Sequence, residues 1–397
     1  MIYLSFALLL STGHQQTELF RAGQDGYAHY RIPGVVVTKR GTLLVYAEAR
    51  KSLRGDWGTT DIVLRRSTDR GKTWSPFQVI AKVEGDKAKN PVALAQKLAA
   101  PGEVTYNNPV AIADRKTGQI HFIFCLEYMR AFYLRSDDDG QTFSKALEIT
   151  PAFDQFRPDY PWKVLATGPG HGIQLRNGRL LVPIWLSTGT GGHAHRPSVS
   201  STIVSDDGGH TWQRGEIAVP DTPEFIFPNE TAAAQLSNGD VMLNVRTETK
   251  ANRRTVVTSK DGAKGWSKPR LDGQLVEPIC FASLLSLGGK RLVFANPDNL
   301  TKTGAPAEPG KSRDRKNLTV QLSEDDGQTW SYKRVLEPSW SGYSDLAMGP
   351  DGIIYCFYES GGPGDQALRS AALKLASFDL KWLKEKPGRG VRGTPPE

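Results

Sequence analysis

The stretch Ser67-Thr68-Asp69-Arg70-Gly71-Lys72-Thr73-Trp74 decides the fold, because the chain repeats it. It returns as Ser136-Asp137-Asp138-Asp139-Gly140-Gln141-Thr142-Phe143 and as Ser205-Asp206-Asp207-Gly208-Gly209-His210-Thr211-Trp212. A further copy is Ser323-Glu324-Asp325-Asp326-Gly327-Gln328-Thr329-Trp330, and Ser259 to Trp266 is a degraded one. Each copy has the chemistry of a tight turn. The Asp accepts hydrogen bonds from turn amides, the Gly supplies a positive φ, and the aromatic packs back onto the sheet. An acidic, Gly-containing loop also suggests calcium, but one Asp at this spacing lacks the ligand count that ion needs.

A second repeat precedes the first: a Gly that ends a polar turn and opens an apolar run. It occurs at Gly41 (before Thr42-Leu43-Leu44-Val45-Tyr46), Gly118, Gly178, Gly239, Gly289 and Gly352. Most have another short apolar or small-residue segment in front, such as Gly34-Val35-Val36-Val37. Strand, Gly turn, strand is a hairpin signature, and its recurrence along the chain points to propeller blades. The expectation is an all-β, six-bladed β-propeller. Residues 16–383 form it as one domain, and Glu18-Leu19-Phe20 completes the outer strand of the last blade, closing the ring. That blade has only a worn turn, Ser377-Phe378-Asp379-Leu380-Lys381-Trp382. Residues 384–397 read as a flexible tail.

Composition agrees and narrows the function. In 397 residues there are 40 Gly, 25 Pro and 9 Trp, as many short strands and turns require. The net charge of +8 favours anionic partners. With acidic and basic residues interspersed and no Lys/Arg block, nucleic acid is not the expected one. The apolar run from Ile2 to Leu10 is too short to span a bilayer and reads as a signal peptide or its remnant over residues 1–15, implying a secreted or periplasmic protein. The three cysteines, Cys125, Cys280 and Cys356, are far apart and read as buried free thiols.

The repeat register sorts polar residues by face. With the Gly turns and acidic turns at one end of the strands, the other end collects Arg31, Glu230 and Tyr343 from first-strand starts. It also collects Arg50, Arg246 and Glu359 from second-strand ends, and Asp56 and Arg315 from the following loops. Four arginines, three acids and a tyrosine at matched repeat positions suggest a clamp for a carboxylate combined with a general acid.

On these residues the sequence resembles the bacterial and animal sialidases of the Asp-box, BNR-repeat propeller type, over essentially residues 20–380. Tyr30-Arg31-Ile32-Pro33 is similar to that family's aromatic-Arg-Ile-Pro motif. The resemblance implies that Arg31, Arg246 and Arg315 grip the sialic acid carboxylate, with Arg313 close enough to compete for the third place. Glu359 would hold Arg31, Arg50 would meet the ring substituents, Tyr343 would be the nucleophile and Glu230 its base. Asp56 would be the acid/base; Asp61 is the alternative, disfavoured because it leads directly into a strand. Gly168-Pro169-Gly170-His171-Gly172-Ile173 resembles another stretch lining the site. One departure stands out: Cys280-Phe281-Ala282-Ser283 replaces the family's Cys-Gln-Gly-Ser, which puts the sugar's side-group preference in doubt.

The implied activity is that of a glycoside hydrolase, an exo-α-sialidase that removes terminal sialic acid from sialylated glycans with retention. Sialidases depart from the two-carboxylate scheme by using a tyrosine, since an anionic nucleophile would be repelled by the carboxylate on the anomeric carbon. No metal or organic cofactor is implied, nor nucleic acid or membrane insertion. The competing expectations are a glycosidase for a related nonulosonic acid, a transglycosylase, a non-catalytic sialic-acid-binding propeller and a protein scaffold.

Overall fold

The computed structural model describes residues 14–361 and 370–385. The apolar N-terminal run and the tail beyond residue 385 lie outside the described residues. Five antiparallel-rich sheets account for nearly all regular structure. The first joins His29–Val37, Leu43–Arg50, Thr60–Ser67 and Gln78–Val79. The second joins Tyr106–Ala113, Ile120–Leu126, Arg130–Ser136 and Leu147–Glu148, with Gly170–His171 added in parallel to its first strand. Val164–Thr167, Ile173–Gln174, Leu180–Ser187, Ser198–Ser205 and Gln213–Arg214 make the third. Thr231–Gln235, Val241–Val245, Arg253–Ser259 and Arg270–Val276 make the fourth.

The fifth sheet has seven strands because one strand serves twice. Tyr332–Met348 pairs through its first half with Lys316–Ser323 and through its second half with Ile354–Ser360. Ser283–Gly288 and Arg291–Pro297 extend the sheet at one end; Ala372–Phe378 and then Gln15–Arg21 extend it at the other. The N-terminal strand therefore sits where Glu18-Leu19-Phe20 was expected.

The first strands pack on one another in cyclic order. His29–Val37 touches Tyr106–Ala113, which touches Gly170–His171; Ile173–Gln174 touches Thr231–Gln235, which touches Ser283–Gly288. That strand meets Tyr332–Met348, which returns to His29–Val37. Because each sheet is covered on both faces by its neighbours, its middle strands are largely buried along their length. Leu44, Tyr46, Ile62 and Leu64 of the first sheet interleave with Ile120, Phe122, Phe124 and Phe132 of the second in this way.

The six turn glycines, Gly41, Gly118, Gly178, Gly239, Gly289 and Gly352, all have positive φ. In the four complete acidic turns the geometry repeats. Asp69, Asp138, Asp207 and Asp325 each accept from the Thr amide four residues on, at 2.8–2.9 Å, and from its hydroxyl at 2.6 Å. These carboxylates spend their oxygens inside the turn. The worn copy keeps one element: Asp379 caps Leu380–Lys384 by accepting from the Trp382 amide. All three cysteines are buried and free.

Candidate active site

At the end of the strands away from the Gly turns lies a cavity of ≈ 470 Å³. Arg31, Arg50, Asp56, Glu230, Arg246, Arg315 and Tyr343 all line it. Most are delivered by backbone elements that end there. Arg31 and Arg50 lie on the two strands at the top of the first hairpin, opposite Glu48 and His29 respectively, Glu230 and Arg246 flank the first hairpin of the fourth sheet, and Arg315 precedes Lys316–Ser323. Tyr343 does not start a strand, as the repeat register had it. It lies inside Tyr332–Met348, at the irregular pairing between Ser341 and Ser344.

Tyr343 is the hub. Its hydroxyl donates to Glu230 (2.5 Å to Oε1, 2.7 Å to Oε2) and accepts from Arg246 Nη1 at 2.8 Å. Arg246 is also ion-paired with Glu230. The guanidinium carbons of Arg31 and Arg315 stand 5.0 and 5.2 Å from the ring centre. Burial, then the Glu230 charge, push the phenol well above its ordinary range despite the surrounding arginines, so it is protonated at rest.

Glu359 does not line the cavity; it lies beneath. It accepts from Arg31 Nε at 2.9 Å, from the Ile32 amide at 3.1 Å and from the Tyr343 amide at 3.1 Å. Burial opposes its ionisation, but Arg31 holds its carboxyl below the usual value. Arg315 donates from Nη2 to the Ile279 carbonyl at 2.8 Å, and its Nη1 is buried with no hydrogen-bond partner among the described residues. Arg313, the competitor, points elsewhere, to Asn252 Oδ1 and the Lys311 carbonyl.

Asp56 and Asp61 separate in the same way. Asp61 accepts from the Tyr27 hydroxyl at 2.8 Å and does not line the cavity. Asp56 does, with a side chain 41% exposed, 2.8 Å from Arg50 Nη1 and 3.9 Å from Arg31 Nη1. Burial of its surroundings opposes ionisation, yet Arg50 above all holds its carboxyl well below the ordinary range. Arg50 is committed on its other side to the buried Glu48, at 3.0 Å from Nε and 2.6 Å from Nη2. It therefore grips Asp56 more than it offers itself to a ligand.

Several residues in and behind the cavity wall were not singled out from the sequence. Glu48 was detectable as the one acid in the apolar run Leu43–Arg50. His29 lies between Arg31 and Arg50; burial, then those cations, push its imidazole down to about 4. The loop that carries His193, His195 and Arg196, and the tyrosine Tyr128, also border the cavity, and they carry no repeat signal. His171 is elsewhere: it pairs with Asp345 at 2.7 Å and lines a separate cavity toward the Gly-turn end, together with Val37, Ile112 and Met348. Phe281 is buried behind Tyr343, ring centres 5.7 Å apart, and does not line the cavity, so the departure at this position bears on the tyrosine and not on the cavity wall.

Comparison with known proteins places these features in context. Residues 41–356 match the family described as "BNR repeat-like domain". The chain is 28% identical over 401 residues to the sialidase of Micromonospora viridifaciens, covering 93% of this chain and 54% of that one. It is 32% identical to Sialidase-2 of Rattus norvegicus over 358 residues, 84% of this chain and 89% of that one. The chain thus spans about half the length of the Micromonospora protein and most of the rat one. Among solved structures, the Hadza microbial sialidase Hz136 superposes with a TM-score of 0.72 at 27% identity, covering 93% of this chain and 69% of that one.

Proposed function

The chain belongs to the BNR-repeat sialidase family, and from that premise we propose that it is an exo-α-sialidase that removes terminal sialic acid from glycans with retention. We count its blades as six, with the seven-stranded sheet taken as two that share Tyr332–Met348. The apolar N-terminal run supports export.

The observation that carries the proposal is the Tyr343–Glu230 hydrogen bond ringed by Arg31, Arg246 and Arg315. An isolated phenol is a poor nucleophile at neutral pH, and Glu230 is placed to take its proton as attack begins. The arginines carry charge at any working pH and present planar forks suited to both oxygens of a carboxylate. With Glu359 and the Ile279 carbonyl orienting two of them, little side-chain entropy is left to lose on binding. Neutral Tyr343 avoids the repulsion that an Asp or Glu nucleophile would meet from the substrate carboxylate. Arg246, by donating to the Tyr343 oxygen, stabilises the charge that develops there.

Asp56 is the proposed acid and base. In the empty cavity Arg50 keeps it a carboxylate. A bound substrate carboxylate at Arg31 cancels one of its cationic neighbours and displaces water, and both effects raise the carboxyl's proton affinity. Asp56 then protonates the leaving oxygen and later takes a proton from the water that cleaves the glycosyl–tyrosine bond.

The test is release of 4-methylumbelliferone from its α-N-acetylneuraminide, with Tyr343→Phe as control. Turnover that falls by about 10³-fold or more in the variant, with affinity for an unsaturated sialic acid analogue retained, is the expected result. Wild-type turnover in Tyr343→Phe removes the nucleophile assignment. Binding without turnover in the wild type means a lectin.

A further inference from the structure

The loop that carries Asp56 is held unevenly. On its N-terminal side Leu53 and Arg54 are exposed, and Asp56 itself is held through Arg50 and, more distantly, Arg31. One residue further on, the backbone is locked. The Trp57 carbonyl accepts from Lys89 Nζ at 3.0 Å and from Thr105 Oγ1 at 2.9 Å. Lys89 is buried, and so is Glu127, which accepts from Lys89 Nζ at 3.0 Å and from the Thr105 amide at 2.6 Å. An ammonium this buried, satisfied by one carboxylate, one hydroxyl and one carbonyl, sets the position of all three.

Lys89 comes from outside the strand repeat, in the excursion between Gln78–Val79 and Tyr106–Ala113. That excursion is anchored across the top of the molecule. Asn90 caps the short helix Pro91–Ala95 and donates to the Lys163 carbonyl, and Gln96 donates to the Gly189 carbonyl. Ala93 is buried in a cluster with Trp57, Tyr128 and Trp185. The Trp57 ring in turn packs at a tilt against Tyr128, ring centres 4.5 Å apart, and against His195 at 5.5 Å.

We infer that Lys89, acting through the Trp57 carbonyl and seconded by Thr105 and Glu127, is a positioning residue for Asp56, so that the excursion works as a strap that sets where the leaving-group proton is delivered. This rests on the reading of Asp56 as the acid. Lys89 has no hydrogen bond to Arg31, Arg246, Arg315, Glu230 or Tyr343, so its loss disturbs proton delivery while leaving the carboxylate clamp and nucleophile in place.

Leaving-group dependence separates this from a general loss of structure. A sugar leaving group needs a proton as it departs; an activated phenol hardly does. General acid catalysis contributes about 10²–10⁴-fold, and a misplaced acid forfeits part of it. Lys89→Met is expected to lower kcat/KM on sialyllactose by ~10–100-fold and on the 4-nitrophenyl sialoside by less than about 3-fold. Thr105→Val, which keeps shape and removes only the hydroxyl, is expected to change the same ratio in the same direction by less, and it carries the test if Lys89→Met does not fold. Calorimetric affinity for an unsaturated sialic acid analogue should be unchanged in both. Proportional losses on the two substrates overturn the inference and leave the sialidase reading standing. A wild type inactive on both substrates removes that reading and the inference with it.

Discussion

His29 shows how much a single side chain costs in this cavity. It is 3% exposed, both ring nitrogens lack hydrogen-bond partners among the described residues, and Arg31 and Arg50 flank it. Its imidazole therefore stays neutral in the folded protein down to about pH 4, while in the unfolded chain it protonates near 6.5. Between those values the unfolded state binds more protons, so stability rises with pH across the window and is lost on acidification. Going from pH 7 to pH 4.5, this group withdraws roughly 2–3 kcal/mol. His29→Leu should lose correspondingly less over the same interval, as read by urea melts at the two values. Parallel curves would mean that His29 finds a partner when it charges. At this scale the sequence was legible where a residue type met a repeat position: Arg31, Glu230, Arg246 and Tyr343 came out together from the repeat register, although Tyr343 stands inside Tyr332–Met348 and not at its start. It preferred Arg315 to Arg313 only through the family resemblance, and Asp56 to Asp61 only because Asp61 leads directly into a strand. Those choices turn on which way a loop side chain points, and a one- or two-residue offset within a loop leaves no periodic trace.

Two glycines of the last hairpin separate the two ends of a strand. At the turn end, Gly352 has a φ of 79° and nothing within 4 Å of where a Cβ would be. At the cavity end, a Cβ on Gly342 would lie 2.1 Å from Glu359 Oε2. Gly352→Ala should cost about 1–2 kcal/mol of stability through backbone strain alone and leave turnover of the aryl sialoside unchanged. Gly342→Ala must displace the carboxylate that orients Arg31 and the Tyr343 amide, so turnover should fall by about 10-fold or more. Equal kinetic effects would show that Glu359 has room to adjust. The hairpins were the most legible elements, since Gly at a positive φ followed by a continuous apolar run has few other readings. The merging of two sheets through Tyr332–Met348 was not legible. Lys333, Arg334, Glu337, Pro338 and Ser339 carry no apolar run, and it is pairing with Lys316–Ser323 that draws the segment into one long strand.

The ring is closed by a strand from each end of the chain. Gln15–Arg21 lies along Ala372–Phe378, with Gln15 opposite Ser377 and Arg21 opposite Ala372, and it buries Leu19 and Phe20. Deleting residues 1–21 removes those two side chains, together worth roughly 3–6 kcal/mol. It also bares the backbone of Ala372–Phe378 as an open edge. The truncated protein should melt well below the intact one and self-associate on size exclusion. A monomer of unchanged melting temperature would mean that the last sheet stands alone. The closure was readable from Glu18-Leu19-Phe20 because a ring of hairpins must find a final strand somewhere. The strap over Trp57 was not, since it belongs to no repeat. His14 lies against Trp382, ring centres 5.1 Å apart, so the two ends of the described fold meet. A ring joined at one seam has an order of assembly: the strand that leaves the ribosome early waits, unpaired, until its partner near the other end has been synthesised. Until then the hairpins between can form locally but the circle stays open, and residues as far apart in the chain as Arg31 and Tyr343 are brought together at the cavity as it shuts.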